Sequence, residues 1–319
     1  MQASVANSLS ATLRRVDHFA QGSFEVFTPP AARRSDAIAA VFGGSLARAA
    51  RYIDQSPRKD GELLFAVADS WGGFSNAALL TRSPGRTAML AVTAPRCTSD
   101  DESGVALVRH AIAAAHQLDA RLVQSLVEPE HDRTLQMLLR GGMRSIGILA
   151  YLEKSAGRRP VPLRPLPAGV TIRAWDPQER LMLEGLLEET YVDSLDCPGL
   201  ARMRTTQEIL DGHLNSGIVH PGWWNVLELD GRPCGVSLAS EIPSVQCMEL
   251  VYFGLAPSAR GHGLGGHLLD FTCSNVGRLG ELSLALACDE KNVPALRLYE
   301  SRGFLPRLRR TALVALAST

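Results

Sequence analysis

The residues from Leu255 read LAPSARGHGLGGHLL, a strand end, a proline, a glycine-rich turn and then apolar positions at helical spacing. Glycines let the backbone approach a ligand closely. The unpaired N–H groups of a helix's first turn, aided by its dipole, hold an anion. The chemistry this predicts is capture of a phosphate-bearing ligand. Two nucleotide motifs can be tested on the same residues. Gly261, Gly263 and Gly266 satisfy G-x-G-x-x-G, and Asp289 stands about where a ribose-binding acid would, so a nicotinamide-type dinucleotide fold is a rival. Against it, Pro257 to Arg260 separate the strand from the first glycine, and too little chain follows Asp289 to build the rest of a doubly wound sheet. A Walker A loop fails, because His267 and Leu268 stand where Lys and Ser or Thr belong. Cys288 ends a strand with no histidine partner near it, which predicts a buried thiol rather than a nucleophile.

These residues need elements to hold them. Met248 to Ala256 reads as a strand, Gly263 to Arg278 as a helix, Leu282 to Cys288 as a strand and Pro294 to Arg302 as a helix, with a final strand over Thr311 to Leu316. Upstream, Val170 to Ala174 begins a strand, Gln178 to Tyr191 a helix, and WWNVLELDGRPCGVSLASE a hairpin turned at Asp230-Gly231. The same order occurs earlier: strands at LLFAVAD, NAALL and TAMLAVTA, a helix from Gly104 to Leu118, and a strand at RLVQSLV. Between Lys154 and Gly169, KSAGRRPVPLRPLPAG carries four prolines and four basic residues, which deny both helix and central strand and predict a linker. The expected division is therefore 1–153, the linker 154–169, and 170–319.

An offset of 161 lays the halves on each other without a gap from Ser99 to Ala150, putting Gly104 on Gly265, Leu135 on Leu296, Gly142 on Gly303 and Met143 on Phe304. A duplicated α/β domain is the reading. The bulk properties agree with it. With 319 residues, two domains are expected, and 45% hydrophobic residues supply two cores. Lys+Arg 33 balances Asp+Glu 33, so no global charge draws the chain to nucleic acid or anionic lipid. No apolar run is long enough to span a bilayer, and the opening MQASVANSLSATLRRVDHF lacks a signal-like apolar stretch. A cytoplasmic protein with six reduced, scattered cysteines and no metal site is expected.

Taken together, the loop residues Arg260, Gly263 and Gly265, and Asn292, Ala295, Tyr299, Gly303 and Phe304 downstream, resemble the two signatures of the GNAT superfamily of acyl-CoA-dependent N-acyltransferases. These are [Q/R]-x-x-G-x-[G/A] and N-x-x-A-x-x-x-Y-x-x-x-G-F. The resemblance is specific over about Glu249 to Phe304, and the tandem layout is similar to that of the mycothiol synthases. It implies an α/β (α+β) fold of two GNAT-like domains, each a mixed, mostly antiparallel sheet flanked by helices. It also implies acetyl-CoA as co-substrate, with its pyrophosphate on the N–H groups of Arg260, Gly261, His262, Gly263, Leu264 and Gly265 and its pantetheine arm along the backbone near Leu255. Asn292 would bond that arm or cap its helix, and Tyr299 would protonate the leaving thiolate. Glu249 stands where histone-type members carry a catalytic base. Strand alternation puts it with Val251 and Phe253, opposite Leu250 and Tyr252, in apolar surroundings that would raise its pKa.

The acceptor implied is a small-molecule or peptide amine, received by LLEETYVDSLDCPGL and the hairpin after Trp223-Trp224. There Glu188, Glu189, Asp193 and Asp196 would attract a cation or simply form a solvated face. A non-catalytic acyl-CoA sensor is the alternative. In the first half the offset puts Ser99 on Arg260, Asp100 to Glu102 on Gly261 to Gly263, His131 on Asn292, Leu138 on Tyr299 and Ala88 on Glu249. That half is expected to be catalytically empty, since three carboxylates repel a pyrophosphate.

Overall fold

The computed structural model describes residues 16–19, 22–55, 61–69, 72–155, 163–200, 203–243, 246–277 and 283–317. The centre of the linker, 156–162, lies outside them. The elements are β1 (Val16–Phe19), β2 (Gly22–Glu25), α1 (Arg34–Val41), α2 (Leu46–Gln55), β3 (Glu62–Ala68), β4 (Phe74–Ser83), β5 (Thr87–Val92), α3 (Thr98–Ala114), β6 (Leu122–Val127), α4 (Asp132–Arg140) and β7 (Arg144–Lys154). After the linker come β8 (Val170–Ala174), α5 (Arg180–Tyr191), α6 (Thr206–Leu214), β9 (Ile218–Leu229), β10 (Arg232–Ile242), β11 (Cys247–Leu255), α7 (Leu264–Gly277), β12 (Ser283–Asp289), α8 (Val293–Ser301) and β13 (Leu305–Leu316).

The chain forms two compact units, and their limits do not follow the linker. One comprises Met1–Arg82, Thr87–Ser145 and Leu313–Thr319, the other Ser83–Arg86 and Ile146–Ala312. Nearly all of β7, the closing strand of the first half, thus belongs to the second unit, and the end of β13 belongs to the first. The cores explain this. Leu152 is buried among Met248, Leu269, Leu284 and Tyr299, whereas Leu313 and Ala315 are buried among Leu80, Leu107, Val123 and Leu138. Apolar alternation in each closing strand finds its match in the other half's core.

In the first unit β3 pairs antiparallel with β4, and β5 pairs parallel with β6. In the second unit antiparallel pairing joins β8 to β9, β9 to β10, β10 to β11 and β7 to β12, and β11 alone pairs in parallel, with β12. The β9–β10 hairpin turns where expected, with Asp230 and Gly231 both at positive φ (50° and 76°), as a two-residue turn between twisted strands requires. Helix α6 was not expected, although its start is written in the sequence. Thr205 and Glu208 form a capping box, each side chain bonding the other's backbone N–H.

The duplication is physical in both units. Helices α4 and α8 end alike: Met143 N–H donates to the Leu138 carbonyl as Phe304 N–H does to that of Tyr299, and Gly142 and Gly303 take positive φ to permit it. A Cβ on Gly104 would press on Met137, and one on Gly265 would stand 3.3 Å from Leu298, the equivalent residue. This glycine therefore serves close helix packing in both halves, with or without a ligand nearby.

Candidate active site

Strands β11 and β12 pair for three residues only, Cys247 with Ser283, Met248 with Leu284 and Glu249 with Ala285. Beyond Glu249 they separate, and Tyr252 to Leu255 have register partners on the β10 side. A split between parallel strands leaves backbone donors and acceptors open to an extended ligand. The glycine loop stands at its end. Gly261 and Gly263 take φ of 81° and 74°, and a Cβ on either would meet nothing within 4 Å. Their positive φ and open surroundings form a cradle that fits a diphosphate at the start of α7, where Gly266 N–H already bonds the Gly263 carbonyl (3.0 Å) and the N–H groups ahead of it have no intrahelical acceptor. His262 is exposed on the same loop, and Leu264 is buried under it.

The Arg260 side chain is spent on the protein. Its guanidinium donates to the carbonyls of Leu255 (3.0 Å), Thr190 (3.0 Å) and Asp193 (3.3 Å), tying the loop to β11 and to the end of α5. The Leu255 carbonyl is consequently occupied, and backbone available to an added strand lies in the residues before it. Asn292 caps α8, its Oδ1 accepting from Ala295 N–H at 3.3 Å, which leaves its amide nitrogen for other partners. Tyr299 is 5% exposed, with its ring edge-on to Phe253 and Phe304 at 6.2 and 5.8 Å. Burial first, then the neighbouring Cys288, Asp196 and Tyr252, push its phenol well above the usual value, so it stays protonated and has a proton to give rather than a base to offer.

Glu249 is half-buried, and desolvation holds its carboxyl above the ordinary carboxylate value. The expected alternation along its strand fails beyond it. The β10 register shifts so that Leu250 and Tyr252 face consecutive residues Ala239 and Leu238, which makes Val251 a β-bulge. As a result Leu250 and Phe253 pack together with Tyr299, while Val251 and Tyr252 pack with Leu187 and Leu210 under α5 and α6. The Glu249 side is the α5 side, and the Tyr299 side is the opposite one. The split connects the two.

Several neighbours escaped the sequence reading. Tyr252 bonds Thr190 hydroxyl to hydroxyl at 2.7 Å and packs between Tyr191 and His213. Burial pulls the His213 imidazole down to about 4, so it is neutral at working pH. Tyr151 of β7 stands opposite Ala287 of β12. No local pattern marks these residues, because each acquires its place through strand pairing or packing over long sequence distances.

Other expectations change. Trp224 is fully buried, donates Nε1–H to the Ala239 carbonyl at 3.1 Å and packs on Trp175, which makes it core rather than acceptor pocket. Glu188 accepts from the Thr206 hydroxyl, and Asp196 accepts the Asp289 N–H at 2.8 Å. Asp289, the ribose-acid candidate, is 2% exposed and accepts N–H groups from Lys291 (2.9 Å) and Cys197 (3.3 Å). It latches the loop after α5 to β12. Cys288 is buried with its thiol raised by desolvation. In the first unit Asp100 to Glu102 lie within the opening turns of α3, not in a loop, and strand register sets Met89, not Ala88, opposite Gln124 where Glu249 stands opposite Ala285. Among the described residues no cluster of metal-ligating side chains occurs and no helix is long and apolar enough to cross a membrane.

Residues 187–304 match the model of the Acetyltransferase (GNAT) family. A mycothiol acetyltransferase of Thermomonospora curvata is 29% identical over 164 residues, 51% of this chain and 53% of its own length, so the match spans about half of each protein. Among solved structures, a GCN5-related N-acetyltransferase from Sphaerobacter thermophilus covers 93% of this chain and 96% of its own, with TM-score 0.58 and 17% identity. A tandem GNAT protein from the clavulanic acid biosynthesis pathway covers 93% and 98%, with TM-score 0.53 and 17% identity. At such identity these two establish the fold, in its tandem form, across the length of the chain.

Proposed function

We propose that this chain, with its tandem GNAT fold and a GNAT-family domain in its second unit, transfers an acetyl group from acetyl-CoA to a primary amine in that unit. The observation carrying the proposal is the β11–β12 split, with an open glycine loop at its end, Glu249 on one side and buried Tyr299 on the other. The N–H groups of Gly261 to Gly265 would hold the pyrophosphate, and the open edge of β11 would hold the pantetheine arm. Glu249 takes a proton from the acceptor ammonium ion, directly or through a water. The neutral nitrogen then bonds to the thioester carbonyl carbon, the C–S bond breaks, Tyr299 gives its hydroxyl proton to the departing thiolate, and the acylated nitrogen sheds its extra proton through water, which restores the phenol. A carboxyl raised by burial binds that proton more readily than an exposed one, and a phenol that resists ionisation remains loaded as the acid.

The experiment is amine-dependent release of CoA from acetyl-CoA, screened over an amine library that includes thiol-bearing amino sugars, since the Thermomonospora relative is named for mycothiol. Stabilisation by acetyl-CoA without turnover on any amine would leave a binding module. Stabilisation by NAD instead would remove the acyl-CoA reading altogether. A ligand at a hundredfold excess over its Kd contributes about 2.7 kcal/mol, which a thermal shift resolves.

A further inference from the structure

We infer that Tyr151, from the closing strand of the first sequence half, is the positioning residue for the acceptor amine in the second unit. The inference rests on the acetyl-transfer reading above and adds a part to that site. Strand register carries it. Glu249 stands opposite Ala285, Ala285 opposite Glu153, and Tyr151 opposite Ala287. Residues paired across strands share a face, and residues two apart on one strand return to it. Glu249, Ala285, Ala287 and Tyr151 therefore project from one side of the sheet.

The other side of β12 is filled, with Leu284, Leu286 and Cys288 buried beside Leu152 and Tyr299. On the near side, between Ser283 and Asp289 at its ends, the strand carries the methyl groups of Ala285 and Ala287, both half-buried. Ala285 lies between Glu249 on β11 and Glu153 on β7, the latter paired with Arg307, and Ala287 lies beside the Tyr151 phenol. Because β11 leaves β12 just after Glu249, this floor runs into the split where the thioester would lie. A face with a proton acceptor at one end, methyl groups between and a hydroxyl at the other end suits an amine on an alkyl stem. The hydroxyl then fixes the nitrogen for attack. The phenol is electrostatically part of this group: burial raises it first, and the Glu249 charge raises it further, against the opposing effect of Arg310. At the same offset β6 of the first unit carries Gln124 and Leu126 in place of the two alanines.

The test uses the full chain and two ligands, CoA and its S-(N-propylcarbamoylmethyl) derivative, whose propylamide stands in for the acceptor nitrogen and its stem. In calorimetry the propylamide should bind the parent at least tenfold more tightly than CoA. Tyr151→Phe should remove at least fivefold of that advantage with CoA affinity unchanged, and Ala287→Leu, which puts a bulky side chain on the same face beside Tyr151, should remove it as well. The inference is overturned by a Tyr151→Phe protein that keeps the full advantage, by equal weakening of both ligands, or by a parent with no advantage to lose. Failure of the parent to bind CoA at all overturns the acetyl-transfer reading and this inference with it.

Discussion

The two units begin from the same device and use it differently. In each, two parallel strands pair for three residues and then part: Thr87–Leu122 to Met89–Gln124 in one, Cys247–Ser283 to Glu249–Ala285 in the other. Beyond the split the two diverge. In the second unit a loop with two glycines at positive φ precedes α7. In the first, α3 starts at Thr98 and runs through the equivalent residues. There Asp100 is buried, accepts the Arg96 N–H at 3.1 Å, and has its carbonyl bonded by Asn76 at 2.8 Å, while Glu102 pairs with Arg140. An extra helical turn, acidic at its N-terminus and hydrogen-bonded to the sheet, is the stable arrangement when no anion must be held. An open glycine loop forgoes that helix and is justified by a ligand. At the tyrosine position Leu138 is fully buried in the first core, which keeps the packing and drops the hydroxyl. The comparison separates what the fold needs, the split, the packing glycine and the helix-ending glycine, from what the chemistry needs.

The comparison breaks most visibly if the halves are separated. A protein beginning near Pro165 lacks β7, so β12 loses its antiparallel partner from Leu284 to Asp289 and the second core loses Leu152. We expect no cooperative thermal unfolding and no acetyl-CoA binding from it. A stable fragment that binds acetyl-CoA with parental affinity would show that the exchanged strand is dispensable.

The next effect is on stoichiometry. Titration of the full chain with acetyl-CoA should give one site, and Gly263→Glu, which places a carboxylate in the cradle, should abolish it while the protein still unfolds cooperatively. The positive φ of Gly263 adds about 1 kcal/mol of strain to this variant, small beside the stability of a domain. Two sites in the parent, or one surviving the substitution, would mean that the first unit binds acetyl-CoA.

Tyr299→Phe sharpens the contrast with Leu138. The ring packing against Phe253 and Phe304 remains, so kcat should fall roughly ten- to a thousandfold with little change in acetyl-CoA affinity. Unchanged kcat would assign the thiolate's proton to solvent.

The smallest effects belong to Glu249→Gln. The raised carboxyl must be ionised to act as base, so the parent's kcat/KM should fall as pH drops through a pKa above the ordinary carboxylate value, and the variant should lose that limb. Stability moves the other way. A carboxyl whose folded pKa exceeds its unfolded one contributes below the unfolded value and loses that contribution as pH rises through the folded value. At pH 7.5 the variant should therefore melt above the parent, with the gain lost as pH falls and the parent's carboxyl becomes protonated. An identical acidic limb in the variant would assign it to another group.

Much of this was legible in the sequence, and the reasons differ by level. Glycine loops, caps and helix-face leucines are local, so the 261–265 loop and the Asp230-Gly231 turn could be placed from the residues themselves, and Asn292 and Tyr299 from the resemblance to the family's second signature. The β11 faces could not, because the bulge at Val251 arises from pairing with β10 and period-two reasoning has no term for it. Trp224 reads equally as pocket or core until its indole N–H has a carbonyl to meet. Tyr151 and Asp289 act across 98 and 92 residues of chain, toward Glu249 and Cys197 respectively, and nothing local to either marks it.

The exchanged closing strands also order events during synthesis. The first unit takes Leu313 and Ala315 into its core, and Ala317 N–H bonds the Arg121 carbonyl at 2.9 Å. These residues leave the ribosome only after both glycine-bearing helices, the linker and the whole candidate active site have been made. The half synthesised first therefore cannot finish first. Its sheet waits, with an open edge at β6, through the translation of about 185 further residues, the separation of Val127 from Leu313. Contacts this distant in sequence slow folding, and the waiting edge is the point at which a chaperone would be needed.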